Sequence, residues 1–232
     1  MGKDEFAGIS IEFNRMMTSI KAKVELLPYV PETVWRMAHR KAADEGEQAA
    51  SAKKMLTVLF CDLRGFTTYS DKRQSEEVVG FLGRFFGAAS DAVSKEGGVV
   101  DKFIGDACLA IFDLPESAGA AAALRAGMAI VRFVRDDAQA QEGGVGIRVG
   151  INTGDVILGS VGFGGRKDYT VIGAEVNKAQ RLEAACEPGT VLVSAESYRQ
   201  IREAMPDVEG EELPPFTAKG VAEKLIAYKI RV

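Results

Sequence analysis

The amino-acid sequence predicts an α+β domain, and three observations carry that prediction. From Met55 onward, short apolar runs of strand length alternate with longer segments of helical period. Two β-rich runs, Val99–Ile104 and Ala107–Phe112, are separated only by Gly105 and Asp106, the mark of a tight hairpin. Glycine is in excess: 25 of 232 residues is about 11%, against a usual value of roughly 7%. With no collagen period or low-complexity tract, that excess implies tight turns or close backbone approach to a ligand.

The first element stands apart from the rest. Phe6, Ile9, Phe13, Met16, Ile20, Val24 and Leu27 form a helical apolar stripe close to a heptad seam. Spacing leaves two readings open, a helix packed on its own domain and a coiled-coil strand. Pro28 and Pro31 interrupt it, and the polar, Ala-rich stretch from Lys41 to Lys54 reads as a solvent-facing helix or linker. Residues 1–27, 28–54 and 55–232 are therefore the expected units.

Met55–Cys61 is an apolar run of buried-strand length, ended by Asp62, Leu63, Arg64 and Gly65. Ser75–Lys95 carries helical periodicity and stops at Gly97 and Gly98. The hairpin follows, then a helix over Ser117–Val134 and a strand over Val145–Thr153. Strand–helix–hairpin–helix–strand is the order of a ferredoxin-like βαββαβ core. Beyond it the sequence predicts a second hairpin-like pair (Val156–Val161 and Tyr169–Ile172) joined by the Gly-rich loop Gly162–Lys167. A helix over Glu175–Ala185 and strands over Thr190–Ser194 and Leu225–Val232 complete the chain.

Composition excludes several classes of function. Lys plus Arg number 29 against 33 Asp plus Glu, a net charge of −4, which argues against a nucleic-acid binder held by phosphate contacts. No apolar run reaches the ~18 residues that span a bilayer. Cys61, Cys108 and Cys186 are odd in number, widely spaced and set among apolar residues, so they read as reduced core cysteines. His39 is the only histidine, which disfavours both a zinc site and Ser–His–Asp chemistry. Catalysis here has to rest on carboxylates, cations and metals.

Asp62, at a strand end, and Asp106, at a hairpin tip, occupy places that converge in a βαββαβ unit. Two such carboxylates suit a hard cation such as Mg²⁺; the plain alternative is a pair of turn residues. Lys102 lies among Val99, Val100, Phe103 and Ile104, either poised for a ligand or snorkelling on an exposed strand face. Asn177 and Arg181 share one helix face, where an amide and a guanidinium can grip a ribose and a phosphate, or form an ordinary surface pair. Thr170 stands on the strand feeding that helix, within reach of a base edge.

The ordered set is more informative than its members. FCDLRGFT over residues 60–67, KFIGD over 102–106, YTVIG over 169–173 and VNKAQRL over 176–182 resemble the class III nucleotidyl cyclase family. The resemblance spans roughly Met55 to Val232. It implies that Asp62 and Asp106, with the Leu63 carbonyl, bind two divalent ions, Mg²⁺ or Mn²⁺. It implies that Lys102 and Thr170 select adenine, that Asn177 and Arg181 orient the ribose and stabilise the transition state, and that Gly65, Phe66 and Thr67 cradle the terminal phosphates. Lys219 is a further phosphate-ligand candidate.

The activity implied is conversion of ATP to 3′,5′-cyclic AMP and pyrophosphate. A guanylate cyclase, disfavoured by Lys102 and Thr170, and a catalytically silent nucleotide-binding module are the alternatives. Lys102 and Asp106 share one hairpin yet serve opposite ends of the nucleotide, which the family resolves with composite sites in a head-to-tail homodimer. DEFAGISIEFNRM over residues 4–16 resembles the end of a HAMP signalling domain, with Ala7 in place of the usual Gly. That resemblance implies parallel N-terminal signalling helices and a cytoplasmic domain tethered to the membrane in a longer receptor.

Overall fold

The structure, a computed structural model, describes residues 52–115, 117–163, 166–217 and 224–232, with backbone alone at 52, 163, 166 and 167. The Phe6–Leu27 stripe, the linker up to residue 51, His39, Gly164, Gly165 and Lys219 lie outside the described residues.

Strand β1 (Ala52–Arg64) is central, antiparallel to β3 (Ala107–Phe112) on one side and to β4 (Gly146–Phe163) on the other. β2 (Val99–Ile104) pairs with β3 at the sheet edge. Helix α1 (Phe66–Ser70) and helix α2 (Ser75–Lys95) link β1 to β2, and helices α3 (Ala118–Asp136) and α4 (Ala138–Gly143) link β3 to β4. The order β2-β3-β1-β4, with its two connecting helices, is the expected ferredoxin-like core. β5 (Arg166–Ile172) folds back on β4, and helix α5 (Ala174–Ala185) leads to β6 (Thr190–Ser194), which runs parallel to β4. Helix α6 (Ala195–Ala204) and strands β7 (Glu211–Glu212) and β8 (Ala227–Arg231) extend the sheet to the order β2-β3-β1-β4-β6-β8-β7.

The period-2 alternation of β1 decides which face carries what. Leu59, Cys61 and Leu63 point into the main core with Phe81 and Phe85 of α2 and Leu124 and Ile130 of α3. Burying each such side chain is worth about 1.5–3 kcal/mol. Leu56, Val58 and Phe60 point to the opposite face, where they pack with Leu109, Val171, Val176 and Ala179. Asp62, next in that even-numbered series, faces the same way. All three cysteines are buried and free. Among the described residues, no helix is long and apolar enough to cross a membrane.

Three expectations are corrected. β1 does not end before Asp62 but runs to Arg64, with Asp62 inside the ladder opposite Ala107 and Arg148. A carboxylate is tolerated there because Arg148 neutralises it. The two strands expected over 145–161 are one, since Thr153, Gly154 and Asp155 keep pairing with Thr57, Leu56 and Met55. Gly154 serves a close approach and not a turn: a Cβ there would lie 2.6 Å from Glu175 Cγ. Helix α6 was not expected; Ser194 caps it by accepting from the Ser197 amide.

Candidate active site

The open face of the sheet is shaped by a glycine. Arg148, Gly150 and Asn152 alternate along β4, and at Gly150 a Cβ would stand 2.2 Å from the Glu183 nitrogen and 2.4 Å from the Ala179 oxygen. Only glycine lets α5 lie this close to the sheet. Close packing of α5 brings Glu183 over Arg148, the cross-strand neighbour of Asp62.

A charged cluster results. Arg148 Nη2 donates to Asp62 Oδ2 at 2.6 Å and stands 2.8 Å from Glu183 Oε1. The second contact is an ion pair without hydrogen-bond alignment, and Arg148 Nε is buried without a partner. Asp106, at the β2–β3 turn beside Ala107, is close enough for its carboxyl to be raised above its ordinary value, first by burial and then by the charge of Asp62. Burial drives the Glu183 carboxyl up to about 7; Arg148 opposes that shift, while Asp62 and Asp106 add to it.

The charge of Asp62 thus reaches Asp106 across the β1–β3 pairing. A carboxylate whose charge raises the proton affinity of its neighbour is the arrangement a hard cation relieves. Among the described residues no group of three or more His, Cys, Asp or Glu side chains could hold a metal ion. Two carboxylates alone suit Mg²⁺ or Mn²⁺, which take one or two carboxylates and complete their shell with substrate phosphates and water. Leu63 is buried in the main core, so only its carbonyl is left to contribute.

β1 is followed by Gly65, whose φ of 85° is open to glycine far more readily than to other residues, and the chain turns there into α1. Phe66 anchors this turn by stacking on Tyr69 and Phe81, with ring centroids 6.1 and 6.4 Å apart. Thr67 follows in the first turn of α1.

A second cluster lies around Lys102 and Thr170. The β2–β3 register slips between Val100 and Lys102, leaving Asp101 without a partner on β3. Consecutive strand residues normally face opposite sides; this bulge turns both Asp101 and Lys102 to the open face. Thr170 Oγ1 donates to Asp101 Oδ2 at 2.6 Å, and Lys102 Nζ lies 3.7 Å from the same oxygen. Lys102 also pairs with Asp168 of β5. The Asp101 side chain is fully enclosed, and its Oδ1 has no partner.

Asn177 and Arg181 form a third group, one turn apart on α5, as expected. Asn177 is exposed, while Arg181 is half-buried with an unpartnered Nε. Among the described residues, no hydrogen bond or ion pair joins either of them to Asp62, Asp106, Lys102 or Thr170. Glu183 is two residues from Arg181, and helix residues so spaced do not share a face. The helix thus turns Glu183 toward the carboxylates of its own chain and Arg181 away from them.

Sequence reasoning did not single out Arg148, Glu183, Asp101 or Asp168. Arg148 had a signal, a lone charge inside the apolar run Val145–Thr153. Asp101 had one only in hindsight, because a bulge leaves no mark in the pattern of apolar residues.

With fold and site in view, comparisons with known proteins agree. The family described as the adenylate and guanylate cyclase catalytic domain matches residues 48–231. The chain belongs to that family. It is 33% identical over 183 residues to an adenylate cyclase of Anabaena cylindrica, covering 76% of this chain and 36% of that protein. A terminal-differentiation-specific adenylate cyclase of Dictyostelium discoideum is 33% identical over 184 residues, 76% of this chain and 9% of that one. This chain therefore spans only about a third of the first relative and a tenth or less of the second. Among solved structures, the adenylyl cyclase CyaB from P. aeruginosa superposes with a TM-score of 0.71 at 33% identity, covering 78% of this chain and 95% of that one. The guanylyl cyclase Cya2 gives 0.70 at 30%, covering 78% and 93%.

Proposed function

We propose that this chain is an adenylate cyclase catalytic unit that converts ATP to 3′,5′-cyclic AMP and pyrophosphate in signal transduction. The observation that carries the reading is the pairing of an Asp62–Asp106 site with a separate Lys102–Thr170 site on one open sheet face. Asp62, Asp106 and the Leu63 carbonyl would hold the divalent ions, two per active site. Mg²⁺ or Mn²⁺, when bound, would make the ribose 3′-hydroxyl more acidic and offset the charge of the triphosphate.

The chain's own residues do the rest. Lys102 and Thr170 hold the adenine edge, and Asn177 orients the ribose. Arg181, whose guanidinium has no ion pair among the described residues, stabilises the charge that builds at the α-phosphorus as the 3′-oxygen attacks and pyrophosphate leaves. The turn at Gly65, Phe66 and Thr67 faces the terminal phosphates, with Lys219 a further candidate. Arg148 is a cation already beside the carboxylates, free to turn from Asp62 to a phosphate once a metal ion takes its place.

The sites are composite in this proposal: one protomer supplies the aspartates, and its partner supplies Lys102, Thr170, Asn177 and Arg181. Support comes from α5, which turns Arg181 away from its own carboxylates. Further support comes from the exposed apolar side chains Phe103, Ile104, Ile157, Val161 and Ile172 on the two hairpins, a surface suited to a second copy. Parallel helices from residues 1–27, a linker over 28–54 and membrane tethering of a longer receptor complete the proposal.

The test is turnover of ATP and GTP with Mn²⁺ by wild type and by Asp106→Ala. Cyclic AMP should form with wild type and fall at least about a hundredfold in the variant, the scale of a lost catalytic metal ligand. Equal background product from both would remove the enzyme reading, and GTP preferred over ATP would make the chain a guanylate cyclase.

A further inference from the structure

We infer that Asp101 is a positioning residue that sets purine selectivity, by fixing which way the Thr170 hydroxyl points. The inference rests on the proposed role of Lys102 and Thr170 at the base edge and adds a residue to that site.

A threonine hydroxyl has one proton to give and lone pairs to accept with, so a free hydroxyl can read either kind of partner. Here it is not free. Thr170 Oγ1 gives its proton to Asp101 Oδ2 at 2.6 Å. The acceptor is a carboxyl group enclosed on every side; burial raises its proton affinity, and the Thr170 hydrogen bond and Lys102 Nζ, 3.7 Å away, oppose that rise. With its proton committed, Thr170 offers the base only an acceptor. Lys102 has only donors.

An acceptor beside a donor matches adenine, whose 6-amino group donates and whose N1 accepts. Guanine presents the reverse, an accepting O6 and a donating N1–H. A hydroxyl released from Asp101 could rotate and donate to O6. The bulge supports the same conclusion. It places Asp101 and Lys102, neighbours in sequence, on one face, where a regular strand would send one of the two to the other side.

The experiment compares kcat/KM for ATP and GTP, with Mn²⁺, in wild type, Asp101→Ala, Asp101→Val, Thr170→Val and the double variant Asp101→Ala with Thr170→Val, since neither alanine nor valine can accept the Thr170 proton. Circular dichroism confirms the fold of each, and the valine variant serves if the alanine one does not fold. The ATP-over-GTP ratio is expected to drop roughly tenfold or more in the Asp101 variants, the scale of one misdirected hydrogen bond. Most of the loss should appear in KM for ATP with a gain for GTP. In the Thr170→Val background the Asp101 change should leave the ratio unmoved, because the hydroxyl it orients is gone. Equal losses for both nucleotides, or a further drop of the ratio in the double variant, would overturn the inference alone. A wild type that turns over neither nucleotide, or that prefers GTP, would overturn the proposed function and this inference with it.

Discussion

Arg148 is the residue on which the carboxylate cluster depends. Among the described residues it is the one cation that contacts both Asp62 and Glu183, and all three side chains are largely withdrawn from water. Arg148→Ala should cost about 2–3 kcal/mol in urea unfolding, less than the ~3–5 usual for orphaning a buried charge, because Glu183 can take up a proton. A variant as stable as wild type would show that the ion pairs add nothing. Glu183 has its own signature. Its carboxyl sits at about 7 in the fold against an ordinary value of 4.5, raised by burial. Between those values the folded chain keeps a proton that the unfolded chain has lost, so this group makes stability fall as pH rises through that window. The loss amounts to at most about 3–4 kcal/mol, since one pKa unit is worth about 1.4. In metal-free buffer, Glu183→Gln should flatten the wild-type decline between pH 5 and 8; parallel curves for the two proteins would refute the assignment.

At the scale of elements, the approach of α5 to β4 organises the open face. Gly150 permits that approach, and any Cβ there meets helix backbone that cannot yield without moving α5. Gly150→Ala should destabilise by about 1–3 kcal/mol or more and reduce turnover with it, since Glu183, Asn177 and Arg181 all ride on the displaced helix. Gly154→Ala is the comparison: the atoms it would meet belong to the Glu175 side chain, which can swing aside. Its cost in thermal unfolding should be the smaller of the two. If the order were reversed, backbone contact would not be what holds α5 in place. The β2–β3 hairpin is the other organising element, since its bulge and its turn place Asp101, Lys102 and Asp106 within six residues.

At the scale of the whole molecule, the proposed sites need two copies. Asp106→Ala and Asn177→Ala chains should each be inactive alone. Mixed and allowed to exchange, they should recover about a quarter of wild-type activity, because about half the dimers are mixed and each has one intact site. Dimers confirmed by light scattering without recovered activity would place each site within one protomer.

The sequence by itself determined the βαββαβ order and the hairpin at Gly105 and Asp106, and it supplied the residues proposed to carry chemistry, because period and turn chemistry are local properties of the chain. It read the ends of β1 and β4 wrongly for a physical reason: a charge or a glycine inside a strand looks like a terminus until its partner is known. Arg148 keeps Asp62 inside β1, and Glu175 packed over Gly154 keeps β4 continuous. Only the tertiary structure decided that Asp62, Arg148 and Glu183 form one cluster and that Asp101 lies beneath Thr170. Those contacts join residues 86, 35 and 69 positions apart, and no local pattern records which distant strand or helix will supply the partner.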